Sequence, residues 1–372
     1  MLTDTPHPKN PFRRVRYIPS ISETIKVAYA RSQKALPKKL KKKLSREEKI
    51  AIKEQTKITT FVQEINVRLR GIIKQFPSIE QIHPFYYDLL EITGKVSKIK
   101  QILGRLEGIS RQIIEIQNAQ IEKLNSAQSP VEFAQIRKQA IGRIISLVSK
   151  AKGDVQYLTR IIKKLKNVPD FNVLLPTIVI SGAPNVGKSS LVRAISTGTP
   201  EIGEFPFTTK SIVFGHRDIG FLQVQVVDTP GILDRPFKDR NFVELQSIVA
   251  IKNIADIIVF MFDGSQNASL SISEQLNLLE DIEKEFGKVR IIRVLNKIDL
   301  LDMKQREKLR KELGVEYSIS TKTHEGLPSF IQRIEERIMR LIRSDSKFQY
   351  LHKLEIAEEF RIDKQESFSY KY

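Results

Sequence analysis

The chain has 372 residues, enough for two compact domains, with 41% hydrophobic residues and a formal net charge of +19. No apolar stretch approaches the roughly 18 residues of a membrane-spanning helix, and the polar start, residues 1–10, has no apolar segment typical of a secretory signal. The absence of cysteine excludes disulfides, thiolate metal sites and a cysteine nucleophile. We therefore expect a soluble, cytoplasmic protein.

The positive charge is concentrated in the first half of the chain. Residues 1–170 contain 34 Lys+Arg and 15 Asp+Glu, whereas residues 171–372 contain 28 of each. An electrostatic field this one-sided favours association with polyanions, but it does not indicate which fold the chain adopts. Nucleic acid or an anionic membrane surface is therefore the leading class of partner.

Residues 1–170 are predicted to form a basic, all-α domain. Apolar residues recur there at three- and four-residue steps, as one buried helix face requires, and serine–glutamate capping boxes mark helix starts. We predict an antiparallel bundle of about four helices. The stripes are Ile58, Phe61, Val62, Ile65, Leu69, Ile72, Ile73 and Phe76; Val96, Ile99, Leu103, Leu106, Ile109 and Ile113; and Ile144, Leu147, Ala151, Val155, Leu158, Ile162 and Leu165; the boxes start at Ser20, Ser45 and Ser129.

Two clusters in this half are candidate RNA contacts. An aromatic residue beside arginines can stack on splayed RNA bases, while lysines neutralise the phosphate backbone without reading sequence. Charge runs are often only solvated, so both interpretations stay open, but the basic character of the whole half favours phosphate contact. The candidates are Arg13, Arg14, Arg16 and Tyr17, and Lys38, Lys39, Lys41, Lys42 and Lys43.

Residues 171–343 alternate short β-rich runs with amphipathic helical stretches, which is typical of a parallel sheet covered on both faces. A last helix is expected over residues 327–342. The polar remainder, residues 344–372, is predicted to be a further helix or a tail. Six strands are predicted, at residues 175–181, 211–215, 222–227, 257–262, 289–295 and 315–320.

A phosphate-binding loop follows the first predicted strand. The segment Gly-Ala-Pro-Asn-Val-Gly-Lys-Ser at residues 182–189 fits G-x-x-x-x-G-K-[ST] between a strand and a helix. Its backbone amides can surround the β-phosphate, Lys188 can span the β- and γ-phosphates, and the Ser189 hydroxyl can coordinate Mg²⁺. A chance glycine-rich turn is the alternative, which the later motifs disfavour. The phosphate-binding candidates are Gly182, Ala183, Pro184, Asn185, Val186, Gly187, Lys188, Ser189, Ser190 and Gly231.

Two further segments are predicted to sense the γ-phosphate. Asp228 ends the third strand and should hold Mg²⁺. The Gly231 amide should approach the γ-phosphate, so that loss of this phosphate would release residues 232–242. Upstream, Thr209 should complete the Mg²⁺ shell; Thr208 is the alternative, and both threonines could merely begin a strand. The predicted metal ligands are Ser189, Thr209 and Asp228, with Thr208 and Thr209 in the first switch.

The segment Asn-Lys-Ile-Asp at residues 296–299 is predicted to select the base. The Asp299 carboxylate only accepts hydrogen bonds, which suits the N1–H and exocyclic amine of guanine, whereas adenine has no proton at N1. GTP is therefore preferred over ATP. The segment 320–322 matches two positions of the usual Ser-Ala-Lys loop. The guanine-binding candidates are Asn296, Lys297, Asp299, Ser320, Thr321 and Lys322.

The residue after Gly231 departs from Ras-like chemistry. Ile232 stands where Ras-like enzymes place a glutamine that orients the attacking water, and an aliphatic group cannot do so. Intrinsic hydrolysis should therefore be slow, and no catalytic base is assigned. Arg235, Lys238 and Arg240 could supply charge to the transition state or be solvated loop residues.

These motifs resemble a known group of GTPases. Phe-Pro-Phe-Thr-Thr at 205–209 and Asp-Thr-Pro-Gly at 228–231 resemble the Obg superfamily over residues 172–343. Asn-Pro-Phe-Arg-Arg at 10–14, then Ile-Pro-Ser at 18–20 and a basic helical domain, resemble more narrowly the Nog type, nucleolar GTP-binding proteins and their archaeal relatives. The resemblance implies a factor for assembly of the large ribosomal subunit, in an archaeal-type short form without the eukaryotic extension.

We therefore expect an α/β P-loop GTPase (Ras-like) domain at 171–343, preceded by the helical bundle at 1–170 and followed by residues 344–372. It should bind GTP, GDP and Mg²⁺; Asn185 could also help to bind K⁺, as in potassium-activated relatives, or only form a turn. Expected partners are ribosomal RNA, the large-subunit precursor and ribosomal proteins or assembly factors, not DNA or a membrane. The alternatives are a scaffold with a structural nucleotide and a membrane-surface GTPase.

Overall fold

The structure, a computed structural model, divides the chain into two compact units. The sheet unit comprises Met1–Asn10, His83–Ile92 and Lys166–Tyr372, and the helical unit comprises Pro11–Ile82 and Thr93–Leu165. The residues that the structure describes are 10–37, 44–168, 170–204, 211–220, 222–229, 231–234 and 242–355.

The helical unit consists of amphipathic helices, as the apolar stripes predict. Its described residues form five helices and not about four, because one predicted stripe, from Ile144 to Leu165, crosses a short turn that leaves the apolar spacing undisturbed. The long helix α2 packs against α1, α4 and α5. The helices are α1 (Ile21–Lys34), α2 (Arg46–Gln75), α4 (Val96–Ser126), α5 (Pro130–Ser149) and α6 (Lys152–Lys166).

Two predicted capping boxes of this unit differ in completeness. At Ser45 the side chain accepts from the Glu48 amide and the Glu48 carboxylate accepts from the Ser45 amide, so both halves form. At Ser129 the side chain accepts from the Glu132 amide, but the Glu132 carboxylate accepts from the Gln128 amide instead. Either arrangement satisfies amides that the first helical turn leaves without partners.

The helix α3 (Pro84–Gly94), which follows α2 in the chain, packs within the sheet unit. The Phe85 ring lies 4.9 Å from the Phe171 ring, and the Tyr86 hydroxyl donates to the Phe171 carbonyl at 3.0 Å. Asn253 donates through its side-chain amide to the Asp88 carboxylate. Aromatic pairs of this kind contribute about 0.5–1.5 kcal/mol beyond their buried area. The residues that hold α3 are therefore remote from it in sequence.

The described strands of the sheet unit form one mixed sheet of seven strands in the order β2-β3-β4-β1-β5-β6-β7. The β1–β4, β1–β5, β5–β6 and β6–β7 pairs are parallel, whereas β2–β3 and β3–β4 are antiparallel. The sequence predicts six of these strands and misses β2, a short edge strand. The strands are β1 (Thr177–Gly182), β2 (Glu201–Glu204), β3 (Ser211–Ile219), β4 (Leu222–Asp228), β5 (Ile257–Asp263), β6 (Arg290–Asn296) and β7 (Tyr317–Ser318).

Helices cover this sheet and bury apolar faces against it. The last of them, α11 (Leu327–Ser344), confirms the helix predicted at 327–342, and residues 349–355 are helical as well. No helix among the described residues is both long and apolar enough to cross a membrane. The structure thus confirms the predicted fold class, an α/β P-loop domain preceded by an all-α domain. The other helices are α7 (Lys188–Ile195), α8 (Phe242–Lys252), α9 (Ile272–Phe286) and α10 (Met303–Glu312).

Candidate nucleotide-binding site

The carboxyl ends of the parallel strands bring the predicted motifs to one edge of the sheet. The phosphate loop follows β1, Asp228 ends β4, Asp263 ends β5 and Asn296 ends β6. This edge is where open α/β sheets bind their ligands, because the loops there are not tied into the sheet.

The phosphate loop depends on two glycines with positive φ. Gly182 has φ 134°, and a Cβ there would lie 2.4 Å from the carbonyl oxygen of Met261 on β5. Gly187 has φ 106°, and a Cβ there would lie 2.4 Å from the side-chain amide of Asn296. Any larger residue would therefore displace β5 or the guanine motif. Asn185 has φ 60°, which asparagine tolerates, so the turn interpretation of this residue is possible and its role toward K⁺ stays a prediction.

Lys188 starts α7 and its side chain turns back over the loop. Its ammonium donates to the carbonyl oxygens of Gly182 at 2.9 Å and Ala183 at 2.8 Å. The side chain is buried, and hydrogen bonds to carbonyls are what a buried ammonium needs. The charge is thus held at the place where the loop amides would meet a phosphate.

Ser189 and Asp228, two predicted metal ligands, are in contact. The Ser189 hydroxyl donates to the Asp228 carboxylate, and Asp228 is only 1% exposed. Hard oxygen donors of this kind suit Mg²⁺, which proteins usually hold through one or two such groups together with phosphate oxygens and water. The donor set therefore fits the expected ion. The third candidate, Thr209, and its alternative Thr208 lie outside the described residues.

The segment after β4 is anchored beneath the phosphate loop. The Leu233 carbonyl accepts from the Ser181 hydroxyl at 2.9 Å, and the Gly231 amide donates to the Asp234 carboxylate at 2.8 Å. Ile232 is 1% exposed and belongs to the core. Its side chain is therefore not directed at solvent where an attacking water could lie. The cationic candidates that follow, Arg235, Lys238 and Arg240, are outside the described part of the chain.

Asn296 joins three loops of the predicted guanine site. Its buried side chain donates to the Val186 carbonyl at 2.8 Å and to the Thr321 hydroxyl at 3.2 Å, and accepts from the Thr321 amide at 3.1 Å. The threonine that replaces the usual alanine therefore has a partner for its hydroxyl. The replacement of alanine by threonine therefore adds no unpaired hydroxyl to the site.

The predicted base-selecting carboxylate is oriented by its neighbour. The Ser320 hydroxyl donates to the Asp299 carboxylate at 2.6 Å and accepts from the Lys322 amide at 3.2 Å. Because Ser320 fixes one carboxylate oxygen, the carboxylate has a defined direction. The structure thus brings the six guanine-site candidates together at one edge of the sheet.

Asp263 is a residue of this site that the sequence reasoning missed. It is 2% exposed, and its carboxylate accepts from the Lys297 ammonium at 2.6 Å and from the Ser265 amide at 2.9 Å. Lys297 has φ 59°, a left-handed conformation that non-glycine residues rarely adopt. The available signal was an aspartate that ends the otherwise apolar strand β5, at the same edge as Asp228.

The candidate RNA contacts of the helical unit are only partly described. Arg13, Arg14 and Arg16 are exposed, and Tyr17 is 70% exposed. The Tyr17 hydroxyl donates to the Glu23 carboxylate at 2.6 Å, and this hydrogen bond raises the pKa of Tyr17. The contact of these residues with RNA stays a prediction. Lys38, Lys39, Lys41, Lys42 and Lys43 lie outside the described residues.

Two family models match the chain in succession. A model described as the NOG1 N-terminal helical domain matches residues 12–172, and one described as a 50S ribosome-binding GTPase matches residues 177–297. The first covers the basic half and the second covers the phosphate loop, Asp228 and the start of the guanine motif.

Several known proteins are similar to this chain over most of its length. An uncharacterised protein of Methanocaldococcus jannaschii is 34% identical over 293 residues, covering 79% of this chain and 82% of that protein. Nucleolar GTP-binding protein 1 of Encephalitozoon cuniculi is 31% identical over 369 residues, covering 96% of this chain and 69% of that protein. The Caenorhabditis elegans protein of the same name is 32% identical over 289 residues, covering 78% of this chain; that match covers only 42% of the longer protein.

Proposed function

This chain belongs to the family of nucleolar GTP-binding proteins, and on that premise we propose that it is a slowly hydrolysing GTP switch in large ribosomal subunit assembly. The observation that carries the proposal is the group of Lys188, Asn296, Asp299 and Ser320 at one edge of the sheet. The GTPase family supports GTP binding and hydrolysis in general terms. The names of the relatives support the role in ribosome assembly.

Guanine selection rests on Asp299. With Ser320 donating to one carboxylate oxygen, the carboxylate remains available to accept from the N1–H and amine of guanine. A nucleotide without these donors would leave the second carboxylate oxygen without a hydrogen bond in the bound state, which costs about 1–3 kcal/mol. Asp263 pairs with Lys297, two residues before Asp299, and so supports the same loop.

The phosphates and their ion are held by residues of the phosphate loop and β4. With nucleotide bound, Lys188 would donate to the β- and γ-phosphates in place of the loop carbonyls, and Ser189, Asp228 and Thr209 would supply oxygen ligands to the ion. When bound, Mg²⁺ neutralises the charge of the phosphate oxygens. The Gly231 amide exchanges Asp234 for the γ-phosphate, which would couple the following segment to the nucleotide state.

Slow intrinsic hydrolysis follows from the position of Ile232. Its side chain lies in the core and has no polar atom, so it cannot orient a water molecule. A partner would therefore have to supply the missing group or direct Arg235, Lys238 or Arg240 at the phosphates. This dependence makes the protein a timer whose turnover reports the state of the assembling subunit.

The basic half docks on ribosomal RNA of the large-subunit precursor, in the neighbourhood of ribosomal proteins or assembly factors. The support is the charge of +19 on residues 1–170 against zero on residues 171–372, with exposed Arg13, Arg14, Arg16 and Tyr17. We place this activity in the cytoplasm. A role for Asn185 in binding K⁺ belongs to the same proposal.

The test measures GTP turnover of the full chain alone and with purified large-subunit precursor particles. We expect the particles to stimulate turnover at least about tenfold, since activators of such switches supply 10³- to 10⁵-fold. A Lys188→Ala variant with the same particles controls for contaminating GTPases. Particle binding with no change in turnover would favour the scaffold function, and binding to anionic vesicles in place of particles would favour the membrane function.

A further inference from the structure

A basic cleft lies at the amino-terminal edge of the sheet, opposite the nucleotide loops. It has a volume of about 250 Å³ and lies between α11 and the residues at which β5 and β6 begin. Three arginines line it, Arg290 at the start of β6 and Arg337 and Arg340 on α11, together with Asp256 and the exposed Ser344. The even charge balance of residues 171–372 conceals this local excess of cations.

The carboxylate of Asp256 is already occupied. One oxygen accepts from the Lys347 ammonium at 2.6 Å and the other accepts from the Thr177 amide at 2.9 Å. Burial raises the pKa of Asp256, while Lys347 acts in the opposite direction. Asp256 and Lys347 therefore form a pair of their own and leave the three arginines to other partners.

One N–H donor group of Arg337 is buried and has no acceptor among the described residues. One terminal nitrogen of its guanidinium pairs with Glu316, but the other, Nη1, is buried and has no hydrogen-bond partner among the described residues. Buried donors without an acceptor are rare in native proteins and call for an explanation such as an unseen ion or ligand. Because Nη1 is not accessible from the cleft as the side chain stands, an anion there would accept from it only after a small shift of the guanidinium, which also lies 5.8 Å from the Tyr317 ring.

Arg290 and Arg340 are also available. Arg290 is exposed and makes no ion pair with any described residue. Arg340 is 77% exposed and lies 3.9 Å from Glu336, a carboxylate that Arg333 approaches to 2.9 Å. An exposed pair at 3.9 Å holds a side chain only weakly. Both guanidinium groups can therefore turn toward a ligand without breaking a strong contact.

We propose that this arginine cleft binds a backbone phosphate of ribosomal RNA. The proposal rests on the proposed function, which brings the chain to that RNA, and adds a contact outside the basic half. The planar donor fork of arginine matches two phosphate oxygens. Protein carboxylates are the competing ligand, but three arginines around one cleft are better matched by a phosphate group, which offers several charged oxygens to their donors.

The first experiment compares two double variants of the full chain. Arg290→Gln with Arg340→Gln removes two charges from the cleft, and Arg310→Gln with Lys311→Gln removes two exposed charges of α10 in the same unit. Arg337 is left intact because it also pairs with Glu316. Affinity for large-subunit ribosomal RNA is measured at several salt concentrations, with GTP affinity as the check on folding.

We expect the cleft variant to lower the slope of log affinity against log salt by about 0.7–1.8, which corresponds to one or two phosphate contacts. RNA affinity should fall several-fold at physiological salt, and GTP affinity should stay unchanged. The control variant should change the slope by much less. Equal slopes for the two double variants would overturn the cleft proposal while leaving RNA binding, and hence the proposed function, intact.

The second experiment uses the absence of cysteine from the chain. Ser344→Cys places a single photoreactive label at the cleft, and Met303→Cys places one at a 72% exposed position on α10 as the control. Crosslinks from Ser344→Cys to RNA are expected at defined nucleotides, and far fewer from Met303→Cys. Crosslinks to protein alone in precursor particles would instead identify an acidic protein partner and reject RNA.

A third measurement separates RNA from free anions. The methyl resonances of Ile257 and Leu341, which line the cleft, are followed during titration with inorganic phosphate and, as a control for ionic strength, with chloride. Weak phosphate-specific shifts are expected alongside the RNA contact. Phosphate shifts without any RNA crosslink at Ser344→Cys would assign the cleft to a free anion. Failure of the unaltered chain to bind RNA at all would reject the proposed function as well.

Discussion

The nucleotide edge of the sheet and the candidate RNA contacts of the basic half differ in how their side chains are held. At the nucleotide edge, Lys188, Asn296 and Asp228 are buried and hydrogen-bonded. In the basic half, Arg13 and Tyr17 are exposed. A buried polar group needs a partner at a fixed position, so such residues recur in motifs with a fixed spacing in the sequence. An exposed charged residue can lie at many positions and leaves no such motif. Motifs therefore locate the first kind of site, and only net charge indicates the second.

The largest expected effect is on RNA binding, when the five lysines at residues 38–43 are changed. Changing Lys38, Lys39, Lys41, Lys42 and Lys43 to Gln should lower the salt slope for RNA binding by up to about 3.5–4.5, at roughly 0.7–0.9 per phosphate contact. GTP affinity should not change. The matched control changes five exposed lysines of the sheet unit, Lys284, Lys288, Lys304, Lys308 and Lys311, to Gln.

The full chain is the right material for this comparison. A cut after residue 170 would separate α3 from Phe171 and Asn253, which it contacts. If the control set lowers the slope as much as the first set, the interaction is a general charge effect and the basic half has no special role. A flat salt response of the unaltered chain would remove RNA as its partner.

At the nucleotide edge the largest single effect should come from Lys188→Ala. The ammonium is the charged donor nearest the phosphates, and charge-assisted hydrogen bonds contribute about 1.5–3 kcal/mol each, so two of them predict a loss of GTP affinity of at least about 100-fold. Calorimetric titration with GTP measures it. Arg193→Ala, at an exposed position on the same helix, should leave affinity within about twofold. A small loss for Lys188→Ala would mean that the lysine stays on the loop carbonyls when nucleotide binds.

Asp299→Asn should have a smaller effect on affinity and a clear effect on the base preferred. The amide loses one acceptor and offers a donor to the guanine amine, so GTP affinity should fall about 10- to 100-fold while xanthosine triphosphate, which has a carbonyl there, should gain. Competition between the two nucleotides measures the change. Glu307→Gln, an exposed carboxylate on α10, is the control. An unaltered preference for GTP would assign base selection to other residues.

The fold shows where sequence reasoning reaches its limit. The apolar patterning and the motifs place β1, β4, β5 and β6 and therefore the site, because the strands of a covered parallel sheet are rich in valine, isoleucine and leucine. They miss β2, whose Glu-Ile-Gly-Glu has no such run. They also cannot assign α3 to the sheet unit, since the Phe85–Phe171 contact joins residues far apart in the chain. An apolar helix face looks the same whichever surface covers it.

Asp263 marks the same limit within the site, and its variant should give the smallest effect. Asp263→Asn keeps an acceptor for the Ser265 amide but removes the charge that holds Lys297, so GTP affinity should fall about three- to tenfold, equivalent to roughly 0.7–1.4 kcal/mol. A double-mutant cycle with Lys297→Gln measures the coupling between the two residues, and it should account for most of that loss. Thermal unfolding separates this from a general loss of stability, because Asp263 is almost fully buried. If the two substitutions are additive, the ion pair does not position Lys297 for the base. Asp263 would then only accept from the Ser265 amide in the turn after β5, and its burial would contribute to the fold and not to nucleotide binding.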